Sequence, residues 1–374
     1  MKAPTQRGKS EWKSGDSVTR VCVVNPNFYR SSGVTVAIRS IHRAVAEYPI
    51  EQHFVSCAYG DTDDDTNWMP PGRLKQFRLM SPNPLRLAFE LCRFAGWLRR
   101  NGIDLVHVHH RRLAAILCPF RTFLGCRVIY TGNAMYPSSA WFRWLARPDS
   151  ATGVSRSVSE NMAETMRTRG VRVISNAVDF PKAFPERDGA FAVDAVCVAR
   201  LEPVKGHSQL IEAWRILRDQ GCAAKLALVG EGSLQDRLKA MVREHQLDGF
   251  VEFRGFRADV AFEFRRSRFN LLASQREGQG IVVIEAAACG LPSLLTDVDG
   301  LRDSLPPDRR LPNGLPFGDP EALASALKQW LDHPAEVRQE GQRFFEFLRG
   351  TSSAEVVGAE YARVYREIGS GEAM

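Results

Sequence analysis

Short apolar runs, each followed by a turn-rich loop and a stretch of helical period, recur along the chain. This alternation constrains the fold more than any other feature. Residues 21–25 (VCVVN) lead through the loop NPNFYRSSG into a helical pattern at 34–46. Strand-like runs follow at 51–56, 105–109 and 127–131, with a long helical pattern at Pro84–Arg100. The segment 175–191 is rich in proline, charge and turn formers and reads as an interdomain linker. Beyond it, strands at 194–199, 225–230, 249–253, 270–273 and 293–296 bracket helices at 207–220, 233–245 and 281–289. Two more helices, 320–333 and about 353–368, end the pattern. Such alternation makes parallel sheets covered by helices on both faces, so the expected class is α/β, with two doubly wound halves. Ligands of such sheets bind at the carboxyl ends of strands, which predicts a site in a cleft where the two halves face each other.

The length, 374 residues, suits two domains of average size, and 44% hydrophobic with 25% charged residues is ordinary for a soluble globular protein. The net charge of +7 favours anionic partners without choosing among nucleic acid, lipid headgroups and phosphorylated small molecules. No nucleic-acid-binding module is present and the basic residues are spread out, so no nucleic-acid partner is expected. The eight cysteines form no C-x-x-C pair and sit largely in apolar runs such as Val21-Cys22-Val23, as reduced thiols of a cytoplasmic protein do. Residues 1–18 are polar, lack the apolar centre of a signal peptide, and are expected to be disordered. The longest apolar stretch, 281–295, is interrupted by Glu285, Gly290 and Pro292 and is too short to span a bilayer.

The richest stretch is EGQGIVVIEAAACGLPSLL, residues 277–295. Gly278 and Gly280 allow close backbone approach to a ligand. A helix starting near Ile281 leaves the amides of Gly280, Ile281 and Val282 free for a phosphate, reinforced by the helix dipole. Gly290 and Pro292 end the helix. Glu277 and Glu285 bracket this start. Two carboxylates would repel a phosphate, so they suit sugar hydroxyls, one holding a ribose and the other a transferred sugar. Either glutamate alone would read rather as a solvated charge at a helix start; the two together, bracketing the Gly-x-Gly start, favour binding.

The stretch resembles the E-x7-E signature of the family 4 glycosyltransferases, which have the GT-B fold of two Rossmann-like domains facing across a cleft. VARLEPVKGHSQLIEAW is similar to that family's G-R-L-x-x-x-K-G segment, with Arg200 and Lys205 in the conventional places. LVGEGSLQDRL, VEFRGF and FGDPEALASAL also fit, as do SSGVTVAIRSI, DLVHVHH, GVSRSVSENM and VISNAVDF in the first half. The resemblance implies domains at 19–178 and 179–348, with a helix in 349–374 returning to the first. It further implies a retaining, metal-independent transfer of sugar from a nucleotide diphosphate-sugar, as co-substrate rather than cofactor, to a glycan or lipid-linked acceptor.

Within that family pattern Arg200 and Lys205 neutralise the diphosphate, Glu285 binds the ribose, and Glu277 contacts the donor sugar near the reacting carbon. The loop of Gly255 and Phe256 meets the base, although Phe256 equally suits a core. Gly33 matches the loop that approaches the donor phosphate, and serves equally as a plain turn glycine. His109 matches the strand-end histidine that assists deprotonation of the acceptor, with His107 and His110 as neighbouring choices and a structural role also open. Closure of the domains would exclude water.

The chain departs from the pattern at three places. Asn133 stands where many relatives have histidine, Ala177 replaces a glycine, and Gln279 replaces an aromatic, with consequences for recognition of donor hydroxyls. The first of these lends weight to a non-catalytic or divergent relative, such as an epimerase or phosphorylase. The loop after Val24 lacks the G-x-G-x-x-G of a dehydrogenase. Asp61-Thr62-Asp63-Asp64-Asp65 offers D-x-D patterns in a polar loop and reads as a solvated turn, not a metal site. Finally, 85–100 and 139–147 mix aromatics, Phe89 and Trp97 among them, with arginines in a way that suits a peripheral, anionic membrane surface as well as packing on a sheet.

Overall fold

The first described strand, β1 (Thr19–Asn25), is buried from Val21 onward, as a strand inside a parallel sheet must be. The computed structural model describes residues 18–29, 32–57, 67–137, 139–166, 170–187 and 191–369. The polar start of the chain up to residue 17 and the aspartate-rich loop around Asp63 lie outside them. The chain divides into two compact units, 1–177 with 352–374, and 178–351.

In the first unit β1 is followed by α1 (Gly33–Val45), β2 (Ile50–Ser56), β3 (Leu74–Gln76), α2 (Pro84–Arg100), β4 (Leu105–Val108), α3 (Arg111–Leu117) and α4 (Arg121–Leu124). Then come β5 (Arg127–Gly132), α5 (Ala140–Leu145), β6 (Ser150–Gly153), α6 (Arg156–Met166) and β7 (Arg172–Val173). The strands form one seven-stranded parallel sheet in the order β3-β2-β1-β4-β5-β6-β7. The order reverses between β1 and β4, and loops leaving the carboxyl ends there are free to meet a ligand. Asn83 starts α2, its side-chain oxygen accepting from the Leu85 and Arg86 amides, with Pro84 in the first turn. β3 and β7, three and two residues long and half-exposed, gave no apolar run to read.

The second unit holds β8 (Val193–Val198), α7 (His207–Asp219), β9 (Leu226–Val229), α8 (Gln235–Glu244), β10 (Val251–Gly255) and α9 (Val260–Arg265). β11 (Ser267–Leu272), α10 (Ile281–Ala288), β12 (Ser293–Leu295), α11 (Asp299–Arg302), α12 (Pro320–Asp332) and α13 (Pro334–Ser352) complete it. Its five parallel strands run β10-β9-β8-β11-β12, so the order reverses between β8 and β11. Trp214 and Trp330 fill the core, each donating its indole N–H to a carbonyl, of Ala224 at 3.0 Å and of Pro312 at 2.9 Å. The pattern along the sequence did not show α13. One of its glycines, Gly341, sits where a Cβ would be 2.6 Å from the Gly290 carbonyl, so close packing explains a residue that argues locally against a helix.

The last helix, α14 (Ala354–Gly369), belongs to the first unit and packs on α1. Gly358 permits this approach, since a Cβ there would lie 2.3 Å from the Ala44 carbonyl. α14 and α1 cover one face of the sheet and α2, α3 and α6 the other. The buried hydroxyls of α14 are satisfied by the sheet. Tyr365 pairs with His107 Nδ1 at 2.7 Å, and His107 Nε2 with Thr131 Oγ1 at 2.7 Å.

Candidate functional site

In the second unit β8 runs out at Val198, but the chain stays pinned beyond it. Ala199 N donates to Val229 O at 3.0 Å and Leu201 N to Glu231 O at 2.9 Å. Arg200, between them, is exposed and its guanidinium makes no hydrogen bond or ion pair among the described residues. The turn behind it needs its glycines. A Cβ on Gly230 would sit 2.1 Å from Ala199 O, and one on Gly232 2.5 Å from Leu201 O.

Residues 203–205 then make one 3-10 turn ending at Gly206 with φ +69°. A Cβ at Gly206 would fall 2.0 Å from Ala273 O, just past β11. Gln275 N donates to Val204 O at 2.8 Å and Gln209 Nε2 to Ala273 O at 2.6 Å. The loops leaving the adjacent strands β8 and β11 are thereby stapled together at the point where strand order reverses. As a result Lys205 Nζ donates to Glu277 Oε1 at 2.5 Å, and Ser274 Oγ donates to the same oxygen at 2.7 Å. Both charged side chains are largely shielded, at 18% and 11% exposure.

Glu277 runs into the glycine loop. Gly300, in the first turn of α11, lies where a Cβ would be 2.0 Å from Glu277 O and 2.6 Å from Gly278 O, which sets the course of this loop. Gly280 caps α10 in the left-handed region, at φ +72°. No side chain caps the helix and no acid occupies its first turn. Val283 N turns back to Gly280 O, while the amides of Ile281 and Val282 precede any intrahelical acceptor. Glu285 is half-buried one turn further on. Gln279 is buried, and its carbonyl accepts from Ser304 Oγ at 3.3 Å; the expected influence on donor hydroxyls therefore has no exposed side chain behind it. Phe256 follows β10 and is 44% exposed, so the alternative of a core residue falls away.

The residues expected in the first unit lie at its own reversal point. Gly33 opens α1 after β1, with no atom of the described residues within 4 Å of where a Cβ would be. His109 does not end a strand; β4 stops at Val108, and His109 N donates to Val24 O at 3.3 Å. The imidazole is buried against that of His107, ring centroids 4.1 Å apart, and its Nδ1 has no partner among the described residues. Burial pushes the His109 pKa down to about 3. Burial therefore favours the neutral imidazole near pH 7. Asn133 Nδ2 donates to its carbonyl at 3.4 Å.

Three residues that shape the site, Gly206, Ser274 and Gly300, escaped the sequence reading. Gly206 stands beside Lys205 in the same segment and was visible in principle. The other two act only through contacts between loops of different strands. No group of three or more His, Cys, Asp or Glu suited to a metal occurs among the described residues.

Comparison with known proteins agrees with this architecture. The family model described as glycosyl transferases group 1 matches residues 192–343, and that of glycosyltransferase family 4 matches 31–181. A glycogen synthase of Mycobacterium tuberculosis is 28% identical over 291 residues, covering 72% of this chain and 70% of the relative. The N-acetyl-alpha-D-glucosaminyl L-malate synthase of Bacillus anthracis is 22% identical over 312 residues, 77% of this chain and 80% of the relative. Among solved structures, a Rickettsia africae glycosyltransferase superimposes with a TM-score of 0.79 at 16% identity, covering 94% of this chain and 98% of that one. Anabaena Alr3699/HepE in complex with UDP gives 0.77 at 14% identity, covering 93% and 100%. With both halves matched in order and both parallel sheets in place, the chain belongs to the group 1, family 4 glycosyltransferases of GT-B fold and is a transferase enzyme.

Proposed function

We propose that the enzyme moves a sugar from a nucleotide diphosphate-sugar to a hydroxyl of a glycan or lipid-linked saccharide in the cytoplasm, with retention at the anomeric carbon and without a metal ion. The observation that carries this reading is the meeting of Lys205 with Glu277 beside the open amides of α10. A cation, an anion and a helix N-terminus at one strand-end reversal suit a ligand with negative phosphates and neutral hydroxyls together. A relative in complex with UDP supports the choice of donor, and all eight cysteines being unpaired supports a reducing compartment.

In this reading Arg200, Lys205 and the amides of Ile281 and Val282 hold the diphosphate. Glu285 takes the ribose, the loop at Phe256 takes the base, and Glu277 binds hydroxyls of the sugar. The bond between the anomeric carbon and the diphosphate oxygen breaks as the acceptor oxygen bonds to that carbon on the same face. The leaving diphosphate accepts the acceptor's proton, a role that the neutral His109 leaves open to it. Arg200 and Lys205 stabilise the charge that builds on the leaving group.

The test is product analysis. Nucleotide-sugars that raise the melting temperature are supplied with saccharide acceptors, and the anomer formed is read by proton NMR with and without EDTA. An axial donor should give an axial product, undiminished by chelator. An inverted product, or loss of activity on chelation, contradicts the mechanism.

A further inference from the structure

Of the two arginine-rich stretches in the first unit, α2 presents an unexpected face. Trp97 does not point outward; it is half-buried and stacks on Phe94, ring centroids 6.2 Å apart. The outward stripe consists instead of Leu85 at 82% exposure and Phe89 at 62%, one turn apart, with Cys92 beyond them. The neighbouring segment exposes Phe120 and Phe123, and α5 exposes Trp141, Leu145 and Trp144, the last at 76%. Side-chain contacts join these into one surface. The Arg99 guanidinium lies over the Phe123 ring and donates to Phe123 O, which links α2 to α4. Arg121 donates to Arg147 O at 3.0 Å, and Arg147 lies over Trp144, which links α4 to α5. Arg93, whose guanidinium lies over the Phe89 ring, stands between Phe89 and Arg99 on α2, and apolar exposure grouped in this way marks a contact surface.

The charge on this surface selects the partner. Residues 84–149 contain ten arginines, no lysine and three acids, an excess of seven that equals the net charge of the entire chain. Glu90 pairs with Arg93, Asp149 with Arg121 and Arg127, and Asp104 accepts from Arg20 N, while Arg86, Arg99, Arg100, Arg112 and Arg147 are exposed. The exposed potential is therefore that of arginine set among tryptophan, phenylalanine and leucine, the composition that enters an anionic headgroup layer.

We propose that this face of the first unit docks on an anionic lipid bilayer, with Leu85, Phe89, Trp141 and Trp144 entering the interface and the surrounding arginines meeting lipid phosphates. The surface is independent of the transfer chemistry, because none of these residues belongs to the donor site.

The test uses the full chain without donor, sedimented with vesicles of phosphatidylcholine alone or mixed with phosphatidylglycerol. Each arginine near an anionic surface contributes about fivefold to partitioning. The Arg86→Glu/Arg100→Glu double variant should therefore bind mixed vesicles at least about tenfold more weakly, as should Leu85→Ser/Phe89→Ser. Rising salt should weaken binding of the parent chain. All four positions are exposed, and circular dichroism confirms folding; Trp144→Ala gives an independent reading. Equal binding to both vesicle types, or binding that survives these substitutions, overturns the proposal. So does a dimer, seen by light scattering, that dissociates in Leu85→Ser/Phe89→Ser, since the face would then belong to a second copy.

Discussion

Lys205 Nζ rests 2.5 Å from Glu277 Oε1, two residues 72 positions apart brought together by loops leaving adjacent strands. Both bonds to Glu277 fall on Oε1, and in the proposed reading its second oxygen takes sugar hydroxyls. The proposed diphosphate would have to compete with Glu277 for the lysine's charge.

Glu277→Gln tests this arrangement. The amide keeps the size and can still accept from Ser274, but it no longer binds the lysine charge. Turnover should fall about 100-fold, as when one stabilising group of a transition state is removed. Affinity for a nucleotide diphosphate should hold or rise, because Lys205 is released. Steady-state kinetics and UDP or GDP titration read the two effects separately, and parallel losses in both would refute the arrangement.

The two cations should behave differently on truncation. Arg200 is exposed and makes no hydrogen bond or ion pair among the described residues, so Arg200→Ala should weaken diphosphate binding and leave the melting temperature within about 1 °C, as surface changes do. Lys205→Ala leaves Glu277, only 11% exposed, without its cation, and should lower stability by about 1–3 kcal/mol as well as binding. Differential scanning calorimetry distinguishes them; equal stability losses would show that the ion pair is not structural.

Gly206→Ala should be far more damaging than Gly33→Ala. At Gly206 a Cβ meets Ala273 O at 2.0 Å, and φ of +69° adds about 1–2 kcal/mol of backbone strain. The staple between the β8 and β11 loops would open and move Lys205 off Glu277, costing activity together with stability. At Gly33 the space is open and φ is ordinary, so urea denaturation should show little change there. A Gly206→Ala enzyme of parent stability would contradict the packing described.

Stability should fall on acidification from near-neutral pH. Burial lowers His109 to about 3 and His207 to about 4, from 6.5 in an open chain. Above pH 6.5 neither the folded nor the unfolded chain protonates these residues. Below it the unfolded chain takes up protons that the folded chain refuses, and each histidine then removes about 1.4 kcal/mol per pH unit until its folded pKa is reached. Melting temperatures between pH 7.5 and 5 should decline, and His207→Gln should flatten the decline. An unchanged slope in that variant would contradict the burial of the His207 ring.

The residues proposed to bind the donor were legible where one short segment carried them. Glu277 through Glu285 lie on a single loop and helix, whose turn chemistry and helix period could be read locally, whereas Arg200 and Lys205, on a single strand-end loop, were singled out by the resemblance to the family's segment. What joins the two segments was not legible. Gly300 matters because of a carbonyl at Glu277, and Ser274 because of a carboxylate whose position depends on β8 and β11 being neighbours. In α2 the period marked an apolar stripe but not which stripe faces the sheet. Phe94 and Leu98 turn inward with Trp97 beside them, while Leu85 and Phe89 remain outside. His109 was found by position, but its proton affinity depends on burial against His107, which no spacing reveals.

Isothermal titration of UDP, GDP and their sugars into the parent chain and the Arg200→Ala/Lys205→Ala variant tests the central claim most directly. At least one nucleotide diphosphate should bind the parent with a measurable heat, and the double variant should bind it at least about tenfold more weakly. Absence of binding to every member of the panel, or equal affinity in the two proteins, would contradict the site.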